Sequence, residues 1–130
     1  MADTPRGCLA LVIILDQFPR NMFRNDPRAF ATDEKALRLA QLAIEKGFDR
    51  EMTDFQRQFL YMPYQHSEVL EDQRRSVALF ETLGANTHEY AVRHLEVVER
   101  FSRFPHRNAA LGLKSIEAEA AFLTEPDSSF

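Results

Sequence analysis

The apolar positions of this chain recur at helical spacing between short polar breaks, and the breaks carry residues that start and stop helices. Thr4-Pro5 reads as a start, with Thr as N-cap and Pro in the first helical position. From Cys8 to Leu15 the chain is apolar without alternation. Such a run fits a buried strand as well as a helix buried on nearly all sides; the cap and the helical spacing of the remainder favour the helix. Its end is expected at Gln17-Phe18, because the residue before Pro19 is pushed out of the α region. Residues 18–31, with two prolines and two asparagines, read as a loop.

Five further helices follow. Thr32 or Asp33 caps the second, whose face is Ala36, Leu37, Ala40, Ala43 and Ile44, and Gly47 ends it. Thr53 and Gln56 have capping-box spacing for the third, with an inward stripe of Phe55, Phe59, Leu60 and Met62. Pro63 kinks or ends it. Ser67 is the expected N-cap of a fourth helix through Leu83, with Leu70, Val77 and Phe80 on its face and Gly84 behind it. Asn86 and Glu89 have the spacing of another capping box, and the fifth helix turns Tyr90, Ala91, Leu95, Val98 and Phe101 inward until Phe104-Pro105 ends it. After a loop to Lys114, Ser115 caps a sixth helix with Ile116, Ala120 and Leu123 on one side, and Pro126 stops it.

The fold class is therefore all-α, with about six helices paired as antiparallel hairpins, no convincing strand, and one domain over residues 1–130. Hairpins of this kind form a bundle or a short α-solenoid. The tetratricopeptide consensus does not fit, since Leu83-Gly84 is followed by Thr87 where a tyrosine belongs.

Composition narrows the function classes. At 130 residues the chain can bury a core without a staple. A net charge of −4 argues against a general nucleic-acid binder. Cys8 is the only cysteine, so no intramolecular disulfide forms; it reads as a small core residue in a reducing compartment. The run Cys8–Leu15 is too short to span a bilayer and lacks a basic flank and cleavage site, so a cytoplasmic protein without membrane attachment is expected.

The candidate chemistry lies in a near-repeat. Phe18-Pro19-Arg20-Asn21 and Phe104-Pro105-His106-Arg107-Asn108 each place an aromatic before a proline and follow it with arginine and asparagine. If the two meet, Arg20, Arg24, His106 and Arg107 converge, with Asn21 and Asn108 supplying amides. Arginine's planar fork suits carboxylate or phosphate, so that set would be a local basic pocket for an anion. The same residues also suit a weld, with Phe18 and Phe104 as core plugs and the arginines paired with Asp16, Glu34 or the C-terminal carboxylate. His66-Ser67-Glu68 is a second candidate: His66 is an acid–base group beside a helix N-terminus, and with Glu68 and Asp72 it offers ligands to a divalent metal, against a capping loop and a solvated acidic face. His88 and His94 read as surface or boundary residues, and the run Glu71-Asp72-Gln73-Arg74-Arg75 as a solvated face. No phosphate loop, nucleophile elbow or metal-binding signature occurs, and no cofactor is expected. Phe130 with its free carboxylate is either a loose tail or a group that docks onto the arginines.

The stretches LVIILDQFPRNMFR, PRAFATD, FLYMPYQHSE, RRSVALFE, RFPHRN and EPDSSF, in this order from about Pro5 to Phe130, together resemble the bacterial domain-of-unknown-function family 924. The resemblance implies an all-α fold similar to the right-handed tetratricopeptide-like superhelices, and it implies no activity. Members of that family carry further residues before the first of these motifs, including an aromatic-rich helix. This chain starts almost at the motif, so part of the Cys8–Leu15 helix is expected to be uncovered and to form a homodimer. Three readings stay open: a binding module whose Arg/His/Asn pocket takes an anionic small molecule or peptide carboxylate; a small enzyme with His66 or His106 as acid–base and Arg20 and Arg107 as anion clamp; and a structural or assembly role.

Overall fold

The computed structural model describes residues 2–129. Helix α1 runs from Pro5 to Met22, with the Thr4 hydroxyl accepting from the Gly7 amide at 3.0 Å. It continues past Gln17-Phe18 and through Pro19, against the expected stop. A proline inside a helix leaves the carbonyl four residues earlier without its donor. Here that carbonyl belongs to Leu15, and the Thr32 hydroxyl donates to it at 2.6 Å. The replacement bond comes from the head of α2 (Asp33–Glu45), so Thr32 occupies the N-cap position of α2 while its side chain serves α1. Thr32→Val keeps the shape and orphans the Leu15 carbonyl. It is expected to cost about 1–2 kcal/mol in denaturant unfolding with helical content unchanged; unaltered stability would show the bond to be idle. Residues 18–31 are thus not one loop: they hold the last turn of α1 and a 3-10 turn, Pro27–Phe30.

Helix α3 (Asp54–His66) begins with the Thr53–Gln56 capping box, the two side chains and backbones bonding reciprocally at 3.0 and 3.2 Å. It passes through Pro63 and buries Leu60, Tyr61, Tyr64 and Gln65. Phe55, expected inward, is 70% exposed in the first turn of the helix, where its ring meets Phe59 edge-on. Helix α4 covers Leu70–Glu81. Ser67 does not cap it; the hydroxyl accepts from the Val69 amide and donates to Asp72, holding the turn before the helix. Gln73 is buried rather than solvated, and its amide satisfies the Gln65 and Ser67 carbonyls left open at the end of α3.

Helix α5 (Ala85–Phe101) starts behind Gly84 at φ +120°, a conformation that replaces the expected Asn86–Glu89 box. Its inward stripe is Ala91, His94, Val97 and Val98, so Tyr90 stays exposed and His94, read as a surface or boundary residue, is 1% exposed. A 3-10 turn (Pro105–Arg107) and the single turn α6 (Asn108–Leu111) occupy the segment expected as a loop. In α7 (Glu117–Leu123) the cap position is Ile116, not Ser115. Its buried residue is Glu119, which accepts two bonds from Arg103 at 2.7 and 2.8 Å and one from the Ile116 amide at 3.0 Å; Ile116 and Ala120 point outward. A carboxylate that satisfies both an arginine and a helix start outweighs the weak apolar face of so short a helix.

Helix α1 packs on α2 and α3, α3 on α4, and α4 on α5. The main core joins Cys8, Val12, Ala40, Leu60, Tyr61 and Phe80; a second cluster gathers Val97, Val98 and Phe104. Cys8 and Val12 are fully buried, so the uncovered part of α1 is a stripe of Ile14, Phe18 and Met22. Among the described residues there is no strand, and no helix is long and apolar enough to cross a membrane.

Candidate functional site

The two halves of the near-repeat are built differently, yet their arginines meet. Arg20, in the last turn of α1, donates to both carboxylate oxygens of Asp33 at 2.6 and 2.8 Å and to the Asp16 carbonyl at 2.8 Å. Arg107, on the 3-10 turn after α5, is 6% exposed and lies 3.9 Å from Asp33 and 3.8 Å from Glu68. Both guanidinium groups lie over the Phe30 ring, at 5.4 and 4.6 Å, and Arg107 also lies 4.7 Å from the Phe104 ring. The aromatic plug is Phe104 alone. Phe18 is 52% exposed, because α1 carries on through Pro19 and keeps that position on its outer face. The asparagines do not join the arginines: Asn21 is exposed on α1, whereas Asn108 is buried and its amide donates to Ser115.

Asp16 is the centre of the network. It is 0% exposed and accepts from the Gln17 amide at 2.6 Å, from the His66 ring Nδ1 at 2.7 Å and from Arg20 at 3.3 Å. Burial pushes its carboxyl up, but His66, Arg20 and Gln17 together outweigh that and hold it below the usual carboxylate range. His66 is the last residue of α3 rather than a neighbour of a helix N-terminus, because α3 runs on through Pro63. Its carbonyl accepts from Arg107 at 2.8 Å, and Glu68 accepts from the Phe104 amide at 2.6 Å, so the His66–Glu68 stretch is tied to the second half of the repeat. Burial, then Arg20, lowers the Arg107 guanidinium to about 10, which leaves it charged at neutral pH. Burial, then Arg107, lowers His106 to about 4, so it is neutral at pH 7 and adds no positive charge.

Of the two readings of the near-repeat, one basic pocket or a weld, neither holds whole: Arg20 is paired with Asp33, and two cavities lie beside that pair, both touching Phe30. One, of 480 Å³, is lined by Arg20, Arg24, Asn25 and His106. The other, of 570 Å³, is lined by Asp33, Glu34, Glu68 and Asp72 together with His66 and Arg107. Arg24 is exposed and has no carboxylate partner among the described residues. Among those residues no group of three or more His, Cys, Asp or Glu side chains is placed to hold a metal ion. Docking of Phe130 lies outside the described residues.

Sequence reasoning left Asp33 and Phe30 out of the site, and took Asp16 only as a partner for the arginines, not for His66. Asp16 had a signal, since it closes an apolar run four residues before Arg20. Asp33 read as a helix start and Phe30 as loop, and neither position signals a contact with residue 107.

Among curated proteins no relative matches this chain. Among solved structures it is similar to a protein of unknown function, ATU0120, from Agrobacterium tumefaciens, at 38% identity and a TM-score of 0.90, covering 94% of this chain and 69% of that one. The profile of a family described as bacterial protein of unknown function, DUF924, matches residues 1–127. The chain belongs to the DUF924 family.

Proposed function

We propose that the protein is a binding module, and that the 480 Å³ cavity beside Arg24 takes a small molecule or peptide end bearing a carboxylate or phosphate. The observation that carries this reading is the division among the arginines. Arg20 and Arg107 are held by Asp16, Asp33 and Glu68, while Arg24 has no carboxylate partner among the described residues. A guanidinium beside a cavity is the chemistry that an anion site needs, and it supports this reading on a protein of net charge −4. The reading includes right-handed superhelical stacking of the helical pairs, in keeping with the packing of sequential helices on one another, and work in the cytoplasm, in keeping with a lone buried cysteine. Calorimetric titration with inorganic phosphate, with succinate and with a tripeptide bearing a free C-terminus tests it. Binding of at least one is expected, weakened about tenfold or more by Arg24→Ala at unchanged melting temperature. No binding, or equal binding by the variant, would contradict the reading.

We also propose that two copies associate through Ile14, Phe18 and Met22, which leave an exposed apolar stripe at i, i+4 and i+8 on α1. Sedimentation across the micromolar range is expected to show a dimer that Phe18→Glu converts to monomer. A monomeric wild type would rule this out.

A further inference from the structure

The 570 Å³ cavity holds a constellation that anion binding does not use. His66 lines it, and the ring's Nδ1 edge is committed to Asp16 at 2.7 Å. A buried carboxylate on Nδ1 fixes the tautomer that carries hydrogen there, which leaves Nε2 as the acceptor. Nε2 makes no hydrogen bond among the described residues. Arg107 lines the same cavity; its Nη1 is ion-paired with Glu68 and Asp33 at 3.8 and 3.9 Å, beyond hydrogen-bond reach of either, while its Nε is sealed from solvent. The Arg107 Nη2 bond to the His66 carbonyl at 2.8 Å fixes the two residues side by side. An oriented base next to a guanidinium N–H that has no hydrogen-bond acceptor is the pairing that acyl transfer to water needs.

We propose that this cavity is a hydrolytic site in which His66, oriented by Asp16, activates water against an uncharged carboxylic ester while Arg107 receives the developing oxyanion. Nε2 takes a proton from water as the water oxygen bonds to the carbonyl carbon, and the carbonyl electron pair moves onto its oxygen beside Arg107. The C=O bond then re-forms, the bond to the leaving oxygen breaks, and that oxygen takes the proton from His66. Ester and water give acid and alcohol, with no change of oxidation state. The substrate class follows from the walls. Asp33, Glu34, Glu68 and Asp72 repel an anionic ester, while Leu37 and Val69 suit a short apolar acyl chain. Arg24 lies outside this cavity, so the hydrolytic and anion-binding readings stand or fall separately.

The test uses the whole chain with p-nitrophenyl butyrate, and p-nitrophenyl phosphate as the anionic counterpart. Wild type is expected to hydrolyse the butyrate ester and not the phosphate. His66→Gln retains an amide donor for Asp16 and loses the base; its kcat/KM is expected to fall about 100-fold with the fold intact by circular dichroism. His88→Ala is expected to keep the full rate. His66→Ala is expected to regain part of its activity with added imidazole. Asp16→Asn, at a positioning residue, is expected to lower kcat more than it changes KM and to gain nothing from imidazole. Equal rates for wild type and His66→Gln, or turnover of the phosphate as fast as the butyrate, would overturn the proposal.

Discussion

Arg107→Ala is expected to destabilise the folded protein by about 3–5 kcal/mol, the largest effect of any single truncation in the network. The guanidinium is 6% exposed, lies over the rings of Phe30 and Phe104, and supplies the donor to the His66 carbonyl. Truncation leaves that carbonyl unsatisfied, removes a cation from between Asp33 and Glu68, and opens a void against two aromatic rings. At this chain length the melting temperature should fall by roughly 10 °C or more. Arg107→Met fills the void and lacks only the charge and the donors, so it should recover part of the loss. Denaturant unfolding of the three proteins checks the order. A loss below about 1 kcal/mol for the alanine variant would mean that Arg107 does not hold the two halves of the repeat together.

Acid should weaken the fold from an unusually high pH. His94 and His106 have usual values of 6.5 when unfolded, but burial, opposed at His94 by its bond to the Tyr90 carbonyl and reinforced at both by the Arg107 charge, holds them at about 3 and about 4 in the folded protein. Between those limits the unfolded chain binds protons that the folded chain refuses. Stability is therefore whole above pH 6.5 and falls as the pH drops. Each histidine removes about 1.4 kcal/mol per pH unit, or about 2 kcal/mol by pH 5. The carboxylates act lower. Asp16 and Glu119 (the latter drawn down to about 2, chiefly by its hydrogen bonds with Arg103) contribute stability that is present above their usual values of 3.8 and 4.5 and is lost as the pH falls below them. Melting temperatures from pH 7 to pH 5 check this. Wild type should fall steadily, and a His94→Gln/His106→Gln variant should be nearly flat. A flat wild-type profile would mean that the buried rings take up protons freely.

What was legible in the sequence was local. The Thr53–Gln56 box, the stop at Gly47, the buried Cys8 and the alanine face of α2 follow from residues within one or two turns of each other. The misread elements depend on partners far along the chain. Pro19 fails to end α1 because Thr32 supplies the missing bond, and Asp16 is stable in the core because His66 approaches from 50 residues away. The near-repeat did mark two arginines that meet, since Arg20 and Arg107 share Asp33 and Phe30. It was right about Phe104 as a plug and Asp16 as a partner of Arg20, and misled on Phe18 and on the asparagines. The same letters sit on a continuing helix in one case and on a 3-10 turn in the other, which turns Phe18 and Asn21 outward and Phe104 and Asn108 inward. That two cavities of opposite charge flank the shared pair was not readable at all, because it depends on which arginine finds a carboxylate.

The proposed division gives Arg20 to the fold and Arg24, which has no carboxylate partner among the described residues, to an anionic ligand. Native mass spectrometry of gently purified wild type and of Arg24→Ala tests it most directly. The expected result is a stoichiometric bound anion on the wild type, lost from an equally folded Arg24→Ala. The same bound mass on both proteins, or none on either after incubation with phosphate, succinate and the free-acid tripeptide, would contradict it.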